Sequence, residues 1–386
     1  MPPAPFACLR NLLDGITPEA PPVSLAIGAP RHPPPDFVLE ALAQHDTRYG
    51  EYPPIEGTPE LRAAIAAWLA RRYDVPPDFQ DILPLNGTRE GLFMAAQIAA
   101  PSHAETRPTM LMPNPFYQLY AAAALAAGCA PVYLTADASS GFLPDLDALD
   151  AATLERACGF YFCSPSNPQG AVAGRAYLER LLELAYAHDL VLFVDECYGD
   201  IYDDAPPPSM LEILHTRGDR DAPVLVFHSL SKRSNLPGLR AGFCAGGRSV
   251  MQRLAALRQL AGPQSPIPAQ NAAALAWADE DHVAENRRLY RQKFDAAEAA
   301  LNGHFGFYRP AGGFFLWLDV GDGEAAAVKL WREAGIRVLP GAYLAHPDSD
   351  GRNSAAAYIR VALVGEVEET ADALTRMRAC LEGADG

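Results

Sequence analysis

The residues best placed to do chemistry lie in one stretch, His228-Ser229-Leu230-Ser231-Lys232-Arg233-Ser234-Asn235-Leu236-Pro237-Gly238-Leu239-Arg240-Ala241-Gly242, directly after an apolar run. A lysine held out of water or near another cation loses proton affinity and becomes a usable amine nucleophile, the requirement for a Schiff base. Arg240 lies between two glycines that let backbone approach a ligand, and with Ser229 it could grip a phosphate. The same stretch would also serve as a solvated Lys-Arg loop. In Leu190-Val191-Leu192-Phe193-Val194-Asp195-Glu196-Cys197-Tyr198 an apolar strand ends in a carboxylate with a tyrosine three residues on. Asp195 either caps a turn or sits where open α/β sheets bind ligands. Ser164-Pro165-Ser166-Asn167-Pro168-Gln169-Gly170 follows another apolar strand and reads as a turn or as a second strand-end site. Leu85-Asn86-Gly87-Thr88-Arg89-Glu90 runs from strand through glycine into helix, an N-cap or a phosphate cradle.

Short β-rich runs alternate with longer helical patterns from about Ile82 to Gly246, the signature of a largely parallel sheet with crossover helices. The expected strands are Ile82–Leu85, Thr109–Met112, Pro131–Thr135, Gly159–Cys163, Leu190–Val194, Val224–His228 and Ala241–Ala245, several continuously apolar as doubly covered strands should be. Helices are expected at Glu90–Ala100, Phe116–Ala127 and Ala176–His188. After Arg248 the pattern is helical through Phe294, and Phe305–Val320, Ile336–Leu339 and Tyr358–Leu363 read as strands of a smaller α+β unit to which a Pro-rich N-terminal arm returns.

The 386 residues, 49% hydrophobic and 20% charged, suit a folded globular chain rather than a disordered or fibrous one. A formal charge of -16 repels phosphate backbones and anionic lipid, so nucleic acid is not expected as a partner. Seven scattered cysteines without a C-x-x-C pair suggest neither a disulfide framework nor a metal site. With no apolar leader or membrane-length run, a cytoplasmic protein is expected.

Together these segments resemble the fold type I pyridoxal-phosphate enzymes, and within them the class I/II aminotransferases, over nearly the whole chain. The family order of glycine-hydroxyl loop, ring-stacking aromatic, Asn-Pro, Asp with Tyr three later, Ser-x-x-Lys and Arg eight later is present. The resemblance implies an α/β fold with a mostly parallel seven-stranded sheet in a large domain, residues 46–275, plus a smaller α+β domain built from 1–45 and 276–386. It implies that Lys232 carries pyridoxal 5′-phosphate as a Schiff base and shuttles the substrate proton. Asp195 would pair with the pyridine nitrogen, Asn167 and Tyr198 would bind the phenolic oxygen, and Tyr117 would stack on the ring. The backbone amides of Thr88 and Arg89, with Ser229 and Arg240, would hold the phosphate, and Gly87 and Ser231 would belong to the same cofactor site. Arg360, in Tyr358-Ile359-Arg360-Val361-Ala362-Leu363, matches the arginine that clamps the substrate α-carboxylate, where Asn167 also lies. Ala26-Ile27-Gly28-Ala29-Pro30 resembles the Gly-x-Pro arm whose glycine amide meets that carboxylate, with Ala29 in place of the usual acid. Tyr49-Gly50-Glu51-Tyr52 is similar to the segment whose tyrosine, here Tyr52, reaches a neighbouring subunit's phosphate, so a homodimer is implied.

In finer detail, Asn86-Gly87-Thr88-Arg89-Glu90 and Asn114-Pro115-Phe116-Tyr117-Gln118 look most like succinyldiaminopimelate aminotransferases, which move an amino group from glutamate to N-succinyl-2-amino-6-oxopimelate. A long, doubly acidic substrate needs a cation beyond Arg360, and Arg31, His32, Arg48 and Arg89 are candidates. The alternatives are aspartate, aromatic or acetylornithine transamination, a carbon-sulfur lyase sharing Lys232 and Asp195, or a non-catalytic regulatory domain of aminotransferase type. A nicotinamide oxidoreductase is disfavoured, because no G-x-G-x-x-G follows any strand.

Overall fold

The structure, a computed structural model, describes residues 4–44, 46–79, 81–101, 106–262 and 264–383. Residues 1–3, 45 and 384–386 of the expected smaller domain, and 80, 102–105 and 263 of the expected large domain, lie outside the described residues. In chain order the strands are β1 Val23–Ser24, β2 Asp81–Leu85, β3 Thr109–Asn114, β4 Ala130–Thr135, β5 Ala157–Cys163, β6 Val191–Asp195, β7 Val224–Ser229, β8 Gly242–Gly246, β9 Phe315–Asp319, β10 Ile336–Arg337, β11 Leu339–Pro340 and β12 Tyr358–Ala362.

Seven of them form one sheet in the order β2-β8-β7-β6-β5-β3-β4. Strands β3 to β7 are mutually parallel, and β8 alone runs antiparallel to its neighbours β7 and β2. Every residue of β6, β7 and β8 is buried, because helices cover both faces of these apolar strands. Trp68, Leu181, Leu211 and Trp277 pack in the cluster on one side and Leu92, Ala121 and Leu254 in the cluster on the other. Burying a side chain of this size is worth about 1.5–3 kcal/mol, so covering both faces is what fixes the sheet. Val38, from the helix Asp36–Ala43, belongs to the first of these clusters although it precedes the expected boundary at residue 46.

The smaller sheet has the order β11-β12-β9 and is wholly antiparallel. The N-terminal arm does return to this region, as β1 pairs in parallel with β10. Two expected strands are corrected. Only Phe315–Asp319 of Phe305–Val320 is strand, since Gly306, Pro310, Gly312 and Gly313 break the preceding stretch and two of these glycines have positive φ. Ile336–Leu339 divides at Val338, with one half facing the arm and the other β12. The helix expected from Phe116 spans Gln118–Ala126, because the Phe116 N–H is held by the Leu344 carbonyl at 2.9 Å. No described helix is long and apolar enough to cross a membrane. The seven cysteines are all free thiols.

Candidate active site

The expected site residues converge where β2, β3, β5, β6 and β7 end at the same edge of the sheet, the edge at which parallel sheets bind ligands. A cavity of about 540 Å³ opens there, lined by Lys232, Asp195, Tyr198, Asn167, Tyr117 and Arg360 among others. Gly28, Thr88, Arg89, Ser229, Ser231 and Arg240 also face it. Gly87 stands immediately behind the cavity wall, against Arg240. Tyr52 does not join them, and its side chain is fully exposed away from the cavity.

Lys232 sits on a single helical turn, Leu230–Arg233, whose start is capped by the Ser229 hydroxyl accepting from the Ser231 N–H at 3.1 Å. Its amine donates to the carbonyl of Gly28 in the arm and lies 5.2 Å from the centre of the Phe314 ring. Burial, reinforced by the positive charges of Arg360 and Arg240, lowers its pKa to about 8. Asp195 ends β6, buried, with its two oxygens accepting from the Tyr120 hydroxyl at 2.8 Å and from the Cys197 N–H at 3.2 Å. Burial raises its proton affinity, and these two neutral donors oppose that rise only in part. Asn167 lies between two partners: its amide nitrogen is 3.5 Å from the Tyr198 hydroxyl, and its oxygen accepts from Arg360 Nη1 at 3.0 Å. Burial pushes the Tyr198 phenol well up, with Arg360 opposing.

Arg360, on β12, is buried over the face of Phe315 at 4.3 Å. Its Nη2 donates to the Ala26 carbonyl at 2.9 Å, while its buried Nε has no partner among the described residues. Desolvation lowers its pKa to about 10. At the opposite wall Gly87 has φ +74°, and a Cβ there would stand 2.3 Å from Arg240 Nη2. Arg240 itself has φ +56° and donates to the carbonyls of Asn86 and Pro237 at 3.3 and 3.0 Å. Arg89 donates from Nε to the Tyr117 hydroxyl at 3.0 Å.

Of the four cations considered for a distal carboxylate, the structure brings only Arg89 to the cavity. Arg31 pairs with Glu369, Arg48 pairs with Asp46, and His32 is buried against Asn286 and Lys293. Sequence reasoning missed Tyr120, which holds Asp195, and the Phe314-Phe315 pair beneath Lys232 and Arg360. The i, i+3 spacing of Tyr117 and Tyr120 and the Gly312-Gly313 pair before the phenylalanines were the available signals.

The sequence model for aminotransferase class I and II matches residues 20–374. The chain belongs to the class I and II aminotransferases. This aminotransferase is 34% identical over 356 residues to 4-dedimethylamino-4-oxo-anhydrotetracycline transaminase OxyQ of Streptomyces rimosus, covering 92% of each chain. It is 31% identical to the LL-diaminopimelate aminotransferase of Desulforudis audaxviator, over 99% of this chain and 96% of that one. Among solved structures, an aminotransferase from Neisseria meningitidis superimposes with a TM-score of 0.92 at 37% identity, covering 98% and 97% of the two chains. A probable N-succinyldiaminopimelate aminotransferase from Thermus thermophilus superimposes with a TM-score of 0.82 at 27% identity, covering 98% and 100%.

Enzymes of this family depend on pyridoxal 5′-phosphate, and the aminotransferase has groups that fit each part of it. Lys232 supplies an amine of lowered pKa, and Asp195 a buried carboxyl held by the neutral donors Tyr120 and Cys197 N–H, suited to a cationic ring nitrogen. The cradle at Gly87, where a side chain would strike Arg240, suits a phosphate.

Proposed function

We propose that this aminotransferase moves the amino group of glutamate to N-succinyl-2-amino-6-oxopimelate in two half-reactions, as a cytoplasmic homodimer. The observation that carries this reading is the charge of the cavity: Arg89, Lys232, Arg240 and Arg360 line it against one carboxylate, Asp195. Lys232 and Arg240 are assigned to the cofactor, which leaves Arg360 for the carboxylate beside the reacting carbon and Arg89 for one of the remote carboxylates of the acceptor. Ile27, Phe142 and Leu344, which also line the cavity, suit the methylene chain of such a substrate. The two diaminopimelate-related likenesses favour a substrate of that length, with the succinyl form resting on the solved structure and on the Asn86–Glu90 text.

In this reading residues 46–275 form the cofactor domain, and 1–45 with 276–386 the arm and small domain, with the helix Asp36–Ala43 docked on the larger core. When bound, pyridoxal phosphate supplies a carbonyl carbon that condenses with amines and a cationic ring that withdraws electrons from the substrate α-carbon. Arg360 binds the α-carboxylate through its planar fork, with the Gly28 amide beside it, and so orients the α-C–H bond. Lys232, whose free amine is about half neutral at pH 8, would take the α-proton and return it one position away. Asp195, steadied by Tyr120, keeps the proton on the ring nitrogen, and Asn167 and Tyr198 stabilise the phenolate oxygen. The backbone amides of Thr88 and Arg89, with Ser229 and Arg240, would supply donors to the phosphate, Gly87 would leave room for it, and Tyr117 would face the ring. Tyr52 completes the neighbouring protomer's phosphate site.

The test is the visible spectrum of the cofactor-loaded enzyme with glutamate alone, then with the succinylated oxo acid. Bleaching of the internal band by glutamate and its return with the oxo acid is the expected result, and an unaltered band on adding glutamate refutes the donor. Arg89→Gln should lower kcat/KM for that acceptor by about tenfold or more while sparing pyruvate, since one charged hydrogen bond is worth about 1.5–3 kcal/mol. Equal loss for both acceptors would remove Arg89 from the substrate site.

A further inference from the structure

Behind the Lys232 turn, on the side away from the cavity, lies a polar chain that the transamination chemistry does not use. Lys293, in the helix Asp281–Leu301, is fully buried, and its amine donates to His32 Nε2 at 2.6 Å and to the Leu363 carbonyl at 3.2 Å. His32 Nδ1 lies 2.9 Å from Asn286 Oδ1, and Asn286 Nδ2 donates to the carbonyls of Lys232 and Arg233, both at 3.2 Å. Asn235 Nδ2, from the segment just after the turn, also donates to Asn286 Oδ1 at 3.2 Å.

The donor directions are forced. Asn286 must turn its NH2 to the two carbonyls, so its oxygen faces His32, and His32 must then carry its proton on Nδ1. Nε2 is thereby an acceptor for Lys293. A second proton on His32 would set an N–H against the Lys293 amine, so only the neutral ring fits. Burial and the Lys293 charge both lower the His32 pKa, in agreement. Glu366, Glu369, Glu285 and Arg31 are the other charged groups acting on this pair. The chain joins four pieces of the active site: the arm that carries Gly28, the long helix, the segment following Arg360, and the turn that carries Lys232.

We propose that Lys293, acting through His32 and Asn286, is a positioning residue that fixes the Lys232 turn against the arm whose Gly28 carbonyl receives the Lys232 amine. Its chemistry is that of an oriented hydrogen-bond chain with no covalent step. The three side chains belong to the enzyme whatever its acceptor is, so the idea rests on the aminotransferase reaction alone.

The experiment compares Lys293→Met, which keeps the length and loses the donor, with His32→Gln, which keeps a donor and an acceptor. In the loaded enzyme Lys293→Met should lower kcat for the glutamate half-reaction by about tenfold with KM changed less than about twofold. In the cofactor-free chain it should move the pH midpoint of pyridoxal phosphate capture by at least about half a unit, since the amine loses its seat on Gly28. His32→Gln, in which Lys293 keeps its partner, should leave the two readouts within about threefold and a few tenths of a unit of the unsubstituted enzyme, respectively. A lowered melting temperature with kcat and capture midpoint unchanged would overturn the proposal and leave Lys293 a structural residue. Should Lys293→Met fail to fold, Asn286→Ala carries the same two predictions, and unchanged values in that variant likewise overturn it.

Discussion

The pKa of Lys232 makes the most direct quantitative demand on the site. An ordinary lysine titrates at 10.5, whereas burial and nearby cations bring this one to about 8. Only the neutral amine attacks an aldehyde, so capture of pyridoxal phosphate by the cofactor-free chain should follow the neutral fraction. At pH 7.5 that fraction is about a quarter, against roughly one part in a thousand for an unperturbed lysine, a gain of about two hundredfold. Between pH 7 and pH 9 the capture rate should rise about tenfold and then level, where an unperturbed amine would rise about a hundredfold and keep climbing. Stopped-flow absorbance at fixed ionic strength reads this directly, and above pH 7 the cofactor phosphate is already largely dianionic. Because Arg360 holds the amine pKa down, Arg360→Gln should move the midpoint upward. A rate still rising log-linearly at pH 9.5, or a midpoint moving down in Arg360→Gln, would refute the argument that desolvation and neighbouring charge set this amine.

Three further outcomes follow from the geometry. Asp195→Asn should leave the cofactor bound but slow α-proton removal by about a hundredfold or more, read in single turnovers with deuterated glutamate, and near-normal rates would contradict the role proposed for it at the ring nitrogen. Gly87→Ala meets both a backbone conformation at φ +74° and ψ 155° that essentially only glycine adopts, costing about 1–3 kcal/mol, and the Arg240 guanidinium, so cofactor affinity should fall about tenfold or more in equilibrium dialysis, and unchanged affinity would remove the cradle from the proposed phosphate site. His32 is held neutral in the folded state with its pKa below 6.5, so the unfolded chain binds the extra proton first and stability should fall as pH drops below about 6.5. Melting curves of His32→Gln should be flatter over that range, and an identical slope would refute the assignment.

The parallel strands were legible because β6 and β7 are unbroken apolar runs, which a sheet covered on both faces requires. The strand-end motifs were legible for a related reason, since Gly87, Asn167, Asp195 and Lys232 each follow such a run. What stayed hidden depends on contacts between distant residues. Arg31, His32 and Arg48 carry the same chemical promise as Arg89 in the sequence, and only Glu369, Lys293 and Asp46 as neighbours divert them. Tyr120 was hidden because its use depends on a helix starting at Gln118, which the Leu344 carbonyl enforces from more than two hundred residues away. Phe314 and Phe315 were absorbed into an overlong strand, because apolar alternation continues through a segment that glycines and a proline in fact bend.

The left-handed backbone of Arg240 bears on how the protein would respond to selection. A non-glycine residue at φ +56° costs about 1–2 kcal/mol, and the two exposed bonds to Asn86 and Pro237 return roughly that much. Folding is therefore close to indifferent to arginine at this position. A library randomised at 240 and sorted only for heat resistance should drift toward glycine or asparagine, which tolerate that conformation, whereas one sorted for growth in medium lacking the reaction product should keep arginine. Robustness and activity would then part company at a single codon.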